Sequence, residues 1–194
     1  ALIDGKKNVV EEYYTRTKGQ PLETVLGILT EILSRIPAER IQSVSVTGTA
    51  GKLIAELLSA EFVNEIIAQG KSTTYFYPQV KTIIEIGGQD SKIIILREGV
   101  AVDFAMNTVC AAGTGAFLDQ QAARLSINIE NVGELALQSK APVRIAGRCT
   151  VFAESDMIHK QQMGHSTEDI LYGLCQALVR NYLNNIALGK EMLP

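Results

Sequence analysis

The sequence predicts an α/β protein, and three patterns in the chain support that prediction. Apolar residues recur at helical spacing over residues 21–36 and again over residues 166–186. Two β-branched runs, at residues 82–86 and 91–96, flank a Gly-Gly turn and predict a β-hairpin. A small-residue turn at residues 47–51 joins a short apolar strand to a helical pattern, as in strand–loop–helix units.

The first part of the chain alternates turn signals with apolar runs. Its predicted elements are a hairpin around Asp4-Gly5, a helix over 21–36, a strand over 41–46, a helix through 53–58 and a helix over 62–77. Asp-Gly is turn chemistry, and we expect the first strand of that hairpin to lie upstream of Ala1. Pro21 suits a first helical turn, and Pro78 closes the last of these helices.

The second part begins with a meander of strands and continues as helices. Its predicted elements are strands over 82–86, 91–96 and 100–104, helices over 114–125, 132–138, 152–163 and 166–186, and a strand over 143–145. Ser166 and Asp169 form a near capping box at the start of the last helix, with Asp in place of the usual Glu or Gln.

The polar residues after Pro78 mark the best domain boundary. We therefore expect one lobe over residues 1–78 and a second over residues 79–194. The chain starts at Ala1 without an initiating methionine, and its last helical pattern ends in glycine and then Pro194. These ends predict a fragment of a larger protein, truncated at both termini.

The composition is that of an ordinary globular protein and excludes several functional classes. Of 194 residues, 46% are hydrophobic, and 18 basic against 21 acidic residues leave a formal net charge of −3. The charges are mixed along the chain, which argues against a nucleic-acid partner and a basic membrane-binding segment. No apolar run approaches the ~20 residues of a membrane span, and no signal peptide is evident, so we expect a cytoplasmic protein.

The Gly-Gly turn at residues 87–90 has two interpretations. It is a tight turn, or it is a phosphate site, because glycines let backbone N–H groups approach an anion without an intervening side chain. The flanking Glu85, Asp90 and Ser91 favour a site for a metal-bound phosphate, since divalent cations prefer oxygen ligands.

Two of the three cysteines, Cys110 and Cys149, stand in small-residue or strand-end segments just before predicted helices. A helix start presents N–H groups to an anion or a thiolate and lowers the pKa of a cysteine placed there. Each could instead be a small buried hydrophobe. Cys175 lies mid-helix among apolar residues, which predicts a core position.

Two thiolates cannot complete a metal site alone. Zinc usually takes four ligands and a [4Fe-4S] cluster four cysteines, so a symmetric dimer would have to supply the missing ones. His159 and His165 lack metal-ligand spacing with Cys149, and we expect both histidines to face solvent.

Three motifs, in this order, carry a family resemblance: IEIGGQDSK at 84–92, CAAGTG at 110–115 followed by FLD at 117–119, and CTVFAES at 149–155. They closely resemble the activators of 2-hydroxyacyl-CoA dehydratases and the related benzoyl-CoA reductase ATPase subunits. The resemblance covers essentially the whole chain and is strongest over residues 82–155.

The resemblance implies an ATPase fold of the actin and sugar-kinase type, incomplete here at both termini. Its two ribonuclease-H-like lobes would hold ATP or ADP with Mg between them. It also implies a homodimer that shares one [4Fe-4S] cluster. ATP would drive a low-potential electron, supplied by ferredoxin or flavodoxin, to a 2-hydroxyacyl-CoA dehydratase or related reductase component.

The site residues follow from the same resemblance. Cys110 and Cys149 would be the two cluster ligands of each subunit. The residues expected to serve catalysis are Glu85, Gln89 and Asp90. Those expected to bind the nucleotide are Gly87, Gly88, Ser91, Lys92, Gly113, Thr114 and Gly115.

Some positions depart from the family pattern. TGTAG at 47–51 stands where the family usually has an aromatic residue and an arginine, and Glu85 stands where Asp is common. The first phosphate motif of the family would precede Ala1, and its adenosine motif would follow Pro194.

Two other functions are compatible with these patterns. One is a cluster-free nucleotide-binding or regulatory module of the same fold within a larger multidomain protein, with the cysteines merely buried. The other is a sugar- or acetate-kinase relative, which the fold permits because fold does not fix function. The sequence carries no acceptor-site pattern for such a kinase.

Overall fold

In the computed structural model, which describes residues 1–107 and 111–194, the chain divides into two units, Ala1–Ala68 and Gln69–Pro194. The division falls within a helix, Glu65–Phe76. The lobe boundary expected after Pro78 lies beyond that helix and stays a prediction.

The first unit contains short strands and helices. Its elements are β1 (Leu2–Ile3), β2 (Val9–Glu11), α1 (Pro21–Leu33), β3 (Ser45–Val46), α2 (Gly51–Leu58), β4 (Glu61–Phe62) and the start of α3 (Glu65–Phe76). β1 and β2 pair antiparallel, and the Asp4 carboxylate accepts the N–H groups of Lys6 and Asn8 at 2.8 and 2.9 Å. Both strands of this hairpin lie within the chain, so the expectation of an upstream first strand is wrong.

The other difference in this unit concerns β4. It pairs parallel with β3, and Phe62, which the sequence places in a helix, belongs to this strand. The helix starts later because the Asn64 side chain accepts the N–H of Ile66 at 2.9 Å and so caps its first turn. β3 is also shorter than the predicted strand over 41–46.

In its described residues, the second unit combines one sheet with the rest of α3 and four further helices. Its elements are β5 (Thr82–Ile86), β6 (Ser91–Arg97), β7 (Val100–Met106), α4 (Gly115–Arg124), α5 (Val132–Leu137), α6 (Thr150–Gln162) and α7 (Thr167–Asn185). The strands form an antiparallel meander in the order β5-β6-β7, as predicted. β6 is central, and Ile93 and Ile94 are fully buried because they pack on both faces of the sheet.

Helix α7 holds this unit together. Ile170, Leu171 and Leu174 enter a core shared with α4 and α6, and Tyr182 and Ile186 pack on the sheet beside Ile93 and Ile95. Each such buried apolar side chain contributes about 1.5–3 kcal/mol. None of the helices in the described ranges is both long enough and apolar enough to cross a membrane.

The start of α7 confirms half of the predicted capping box. The Ser166 hydroxyl accepts the Asp169 N–H at 3.2 Å. The Asp169 carboxylate reaches a different loop, where it accepts the Ser139 hydroxyl at 2.7 Å and the Lys140 and Ala141 N–H groups at 3.0 and 2.8 Å. These donors favour the ionised form, so they lower the pKa of Asp169 to about 2.

The predicted strand at residues 143–145 is wrong. Val143 and Ile145 are buried, as an alternating strand requires, but their backbone bonds go to α7. The Val143 N–H donates to the Asp169 carbonyl at 3.4 Å, and Arg180 donates to the Ile145 carbonyl at 2.7 Å. Because residues of α7 already hydrogen-bond to the backbone N–H and carbonyl groups of this extended segment, it forms no ladder with another strand of the described chain.

Candidate functional site

The turn at residues 87–90 lies against the start of α4. The Gly115 N–H donates to the Gly87 carbonyl at 2.8 Å, and the Ala116 N–H donates to the Gly88 carbonyl at 2.9 Å. The turn therefore caps the helix, because the first N–H groups of a helix have no intrahelical acceptor. These two N–H groups are bonded to the protein, which corrects the expectation that this helix start presents them to an anion.

The glycines of this junction have different spatial requirements. A Cβ on Gly87 would lie 2.7 Å from the Asp90 carbonyl oxygen and 2.8 Å from Glu85 Oε1, so the turn needs glycine there. A Cβ on Gly115 would lie 3.3 Å from the Gly87 oxygen. A Cβ on Gly88 would have no atom of the described chain within 4 Å apart from those of Gly88 itself and its two chain neighbours, which leaves room for a ligand to approach the backbone.

A buried cation holds two acidic residues, one in the turn and one in strand β5 before it. Lys92 is 2% exposed, and its Nζ lies 2.7 Å from Asp90 Oδ1 and 3.3 Å from Glu85 Oε2. The ammonium offsets the repulsion between the carboxylates. Lys92 was expected to bind the nucleotide, and the structure places its ammonium on the carboxylates, while Gln89 is exposed at the tip.

The hydroxyls expected at the phosphates lie inside the protein. The Ser91 hydroxyl is fully buried and donates to the Gly113 carbonyl at 2.8 Å, and the Ser91 N–H donates to Asn107 Oδ1 at 2.7 Å. The Thr114 hydroxyl, also fully buried, donates to the Ala111 carbonyl at 2.8 Å. The structure thus brings the turn and the 111–115 segment together. The Ser91 and Thr114 hydroxyls form hydrogen bonds that stabilise this contact.

The cysteines differ in what surrounds them. Cys149 is the residue before α6, is partly buried, and its carbonyl accepts the Ala153 N–H at 3.0 Å. Cys110 lies outside the described residues. Cys175 packs against the core as predicted, and burial raises the pKa of its thiol. Within the described ranges, no group of three or more His, Cys, Asp or Glu side chains is arranged to hold a metal ion.

Comparison with known proteins assigns the family. The BadF/BadG/BcrA/BcrD ATPase family matches residues 2–189 of the chain. This chain belongs to the BadF/BadG/BcrA/BcrD ATPase family. The resemblance carried by the three motifs is thereby confirmed.

Relatives of this BadF/BadG/BcrA/BcrD ATPase chain include named activators. The chain is 31% identical to the (R)-2-hydroxyglutaryl-CoA dehydratase activating ATPase of Acidaminococcus fermentans, over 99% of this chain and 75% of the relative. It is 35% identical to the 2-hydroxyisocaproyl-CoA dehydratase activator of Clostridioides difficile, over 70% of this chain. The alignment spans about half of that relative's length, 51%.

Two solved structures confirm the predicted α/β fold. Component A of the (R)-2-hydroxyglutaryl-CoA dehydratase of Acidaminococcus fermentans matches with a TM-score of 0.83 at 29% identity, over 90% of this chain and 68% of that one. The Clostridium difficile activator of the 2-hydroxyisocaproyl-CoA dehydratase, solved with bound ADPNP, matches with 0.75 at 31% identity, over 88% and 63%.

Sequence reasoning did not identify two further residues of this site, Asn181 and Tyr182. The Tyr182 hydroxyl donates to the Lys92 carbonyl at 2.7 Å, and the Asn181 side-chain nitrogen donates to the Gly147 carbonyl at 2.7 Å. Burial, with the nearby charge of Glu85, raises the pKa of Tyr182 to about 12. The signal that could have found them was a polar pair on the buried face of an otherwise apolar helical pattern.

Proposed function

We propose that this chain is the ATP-dependent activator of a 2-hydroxyacyl-CoA dehydratase or related reductase. In this proposal it is a cytoplasmic homodimer that binds ATP or ADP with Mg. Cys110 and Cys149 of both subunits hold one [4Fe-4S] cluster. With ferredoxin or flavodoxin as the electron donor, the dehydratase or reductase component would be the acceptor. The observation that carries the proposal is the capping of α4, the helix after Cys110, by the turn at residues 87–90.

The turn suits the phosphates of a nucleotide. Gly88 has open space on its side-chain face, and Gln89 is exposed beside it. Asp90 and Glu85 are the carboxylates that would hold Mg beside the phosphates, because Mg binds one or two carboxylates and keeps water and phosphate as its other ligands. Lys92 keeps both carboxylates in place. We assign Gln89 the role of orienting the water that attacks the nucleotide phosphate, and Asp90 and Glu85 complete the catalytic group.

The surroundings of Cys149 suit one half of a shared cluster. Its thiol precedes a helix, and the thiolate is the form that ligates metal. When bound, the cluster would relay the low-potential electron. Val151 and Phe152, two and three residues after Cys149, are 67% and 66% exposed, and a second copy of the chain placed across Cys149 would cover them.

The proposal draws further support from the relatives, two of which are named as activators of CoA dehydratases. Another relative, a benzoyl-CoA reductase component from Thauera aromatica, is 28% identical over 78% of this chain. Their names place them with dehydratases and a reductase, which is the class of partner proposed here.

The test is the iron and acid-labile sulfide content per dimer after anaerobic reconstitution. We expect about four irons per dimer in the wild type, and loss of that iron in both Cys110→Ala and Cys149→Ala. Cys175→Ala is the matched control and should keep the iron. A well-folded dimer that binds ADP but no iron would favour the cluster-free nucleotide-binding module instead.

A further inference from the structure

We infer that Asn181 and Tyr182 of α7 are positioning residues that couple the nucleotide turn to the loop carrying Cys149. The inference rests on the proposed function, since it names how the nucleotide controls the cysteine end of the same site. It starts from two neighbouring polar side chains, both 3% exposed, whose hydrogen bonds leave the helix in two directions.

Tyr182 provides the contact with strand β6, which directly follows the turn at residues 87–90. Its hydroxyl donates to the backbone carbonyl of Lys92 at 2.7 Å. The Lys92 side chain is the one clamped between Asp90 and Glu85. A cation or phosphate that displaces these carboxylates therefore acts on the side chain of the strand residue to which Tyr182 is bonded.

Asn181 provides the contact with the cysteine loop. Its amide nitrogen donates to the Gly147 carbonyl at 2.7 Å and lies 3.5 Å from the Arg148 carbonyl, and Cys149 is the next residue. Its amide oxygen lies beside the segment that follows Cys110: a Cβ built on Gly113 would be 2.8 Å from this oxygen. The amide thus lies between the two segments that bear the proposed ligands.

The two cysteine segments receive different connections from the turn. The turn bonds directly to the segment after Cys110, through Ser91 to Gly113 and through the carbonyls that cap α4. The loop before Cys149 bonds to α7, through Asn181 and, at Ile145, through Arg180. Because Asn181 and Tyr182 share a peptide within one rigid helix, movement of one displaces the other.

The test measures the alkylation rate of Cys149 by iodoacetamide in the full chain, resolved by mass spectrometry, with and without Mg-ADP. We expect ADP to change the wild-type rate. In Tyr182→Phe and Asn181→Asp, which each remove one donor, the ratio of the two rates should move toward one by up to about fivefold, the factor supplied by one hydrogen bond of ordinary net strength.

The matched controls carry the same chemical changes elsewhere on α7. Tyr172→Phe and Asn184→Asp should keep the wild-type ratio. A merely structural role would alter the rates with and without ADP equally and leave their ratio intact. If Asn181→Asp does not fold, Tyr182→Phe decides the question, because it removes a single oxygen atom.

Two outcomes overturn the inference. One is a wild-type ratio that persists in Tyr182→Phe. The other is a wild-type ratio of one under saturating ADP. ADP affinity and reconstituted iron, measured separately on the wild type, distinguish a failed coupling from a failed function. If one of these outcomes occurs while the wild type binds ADP and iron, the proposed function stands and only the coupling is wrong. If the wild type does not bind ADP, the proposed function and the coupling are both wrong.

Discussion

At the scale of single residues, the site depends on a buried lysine and on two neighbouring glycines with opposite requirements. Lys92 is buried between two partly exposed carboxylates, and Gly87 is enclosed where Gly88 is open. Lys92 and Gly87 therefore maintain the conformation of the turn, whereas Gly88 leaves space for a ligand.

Replacing Lys92 by methionine should lower the free energy of unfolding by about 1–3 kcal/mol. Removing one partner of a fully buried ion pair costs about 3–5 kcal/mol, and the partial exposure of Asp90 and Glu85 reduces that cost. Urea denaturation measures it. Lys190→Met is the control, because Lys190 pairs with a half-exposed Asp103 at 2.7 Å and should cost at most about 1 kcal/mol. Equal losses in the two variants would contradict this account of Lys92.

The glycine pair gives a second test. Gly87→Ala should destabilise the protein by about 1–3 kcal/mol, because its methyl group meets the Asp90 carbonyl and the Glu85 carboxylate. Gly88→Ala should change stability by less than about 0.5 kcal/mol, since its methyl group enters open space. Under the proposed function Gly88→Ala should still weaken ADP binding. Thermal unfolding and ADP titration measure both effects, and unchanged ADP affinity would argue against a ligand at that face.

At the scale of elements, α7 is fixed at its start by Asp169 and at its end by contacts with the sheet. Sequence periodicity predicted this helix well, because its apolar residues repeat along one face. The loop partners of Asp169 lie about 30 residues upstream in sequence, a separation to which local patterns carry no information. The same limit explains the wrong strand at residues 143–145, whose backbone partners belong to α7.

The hydrogen bonds to Asp169 predict a dependence of stability on pH. Its pKa is lowered to about 2 in the folded protein, so the stabilisation is fully present above the unfolded pKa of about 4 and is lost as the pH falls toward 2. Between pH 5 and pH 3, urea midpoints should fall more steeply for the wild type than for Asp169→Asn. The neighbouring Glu168→Gln should follow the wild type, and parallel curves for all three would refute the assignment.

At the scale of the whole molecule, the described candidate residues all lie in the second unit, Gln69–Pro194. The motifs predicted the family and the meander of strands, because β-branched runs and glycine turns are local signals. The parallel pair of β3 and β4 escaped prediction because two residues per strand are too few to show a period. The buried bonds of Ser91 reach Asn107 and Gly113, so they depend on tertiary contacts that its own motif does not encode. The ion pairs of Lys92 are local, because Glu85 is its cross-strand partner in the predicted hairpin.

The cap on α4 has an electrostatic consequence for that helix. In a trans peptide the carbonyl and the N–H point in opposite directions, and the chain has no cis peptide in its described ranges. The carbonyls of Gly87 and Gly88 point at α4, so the N–H groups of Gly88 and Gln89 point away from it. The peptide dipoles of the turn thus align with those of α4 and extend its macrodipole. The positive pole of the helix is displaced to the outer side of the turn, where a phosphate would meet it.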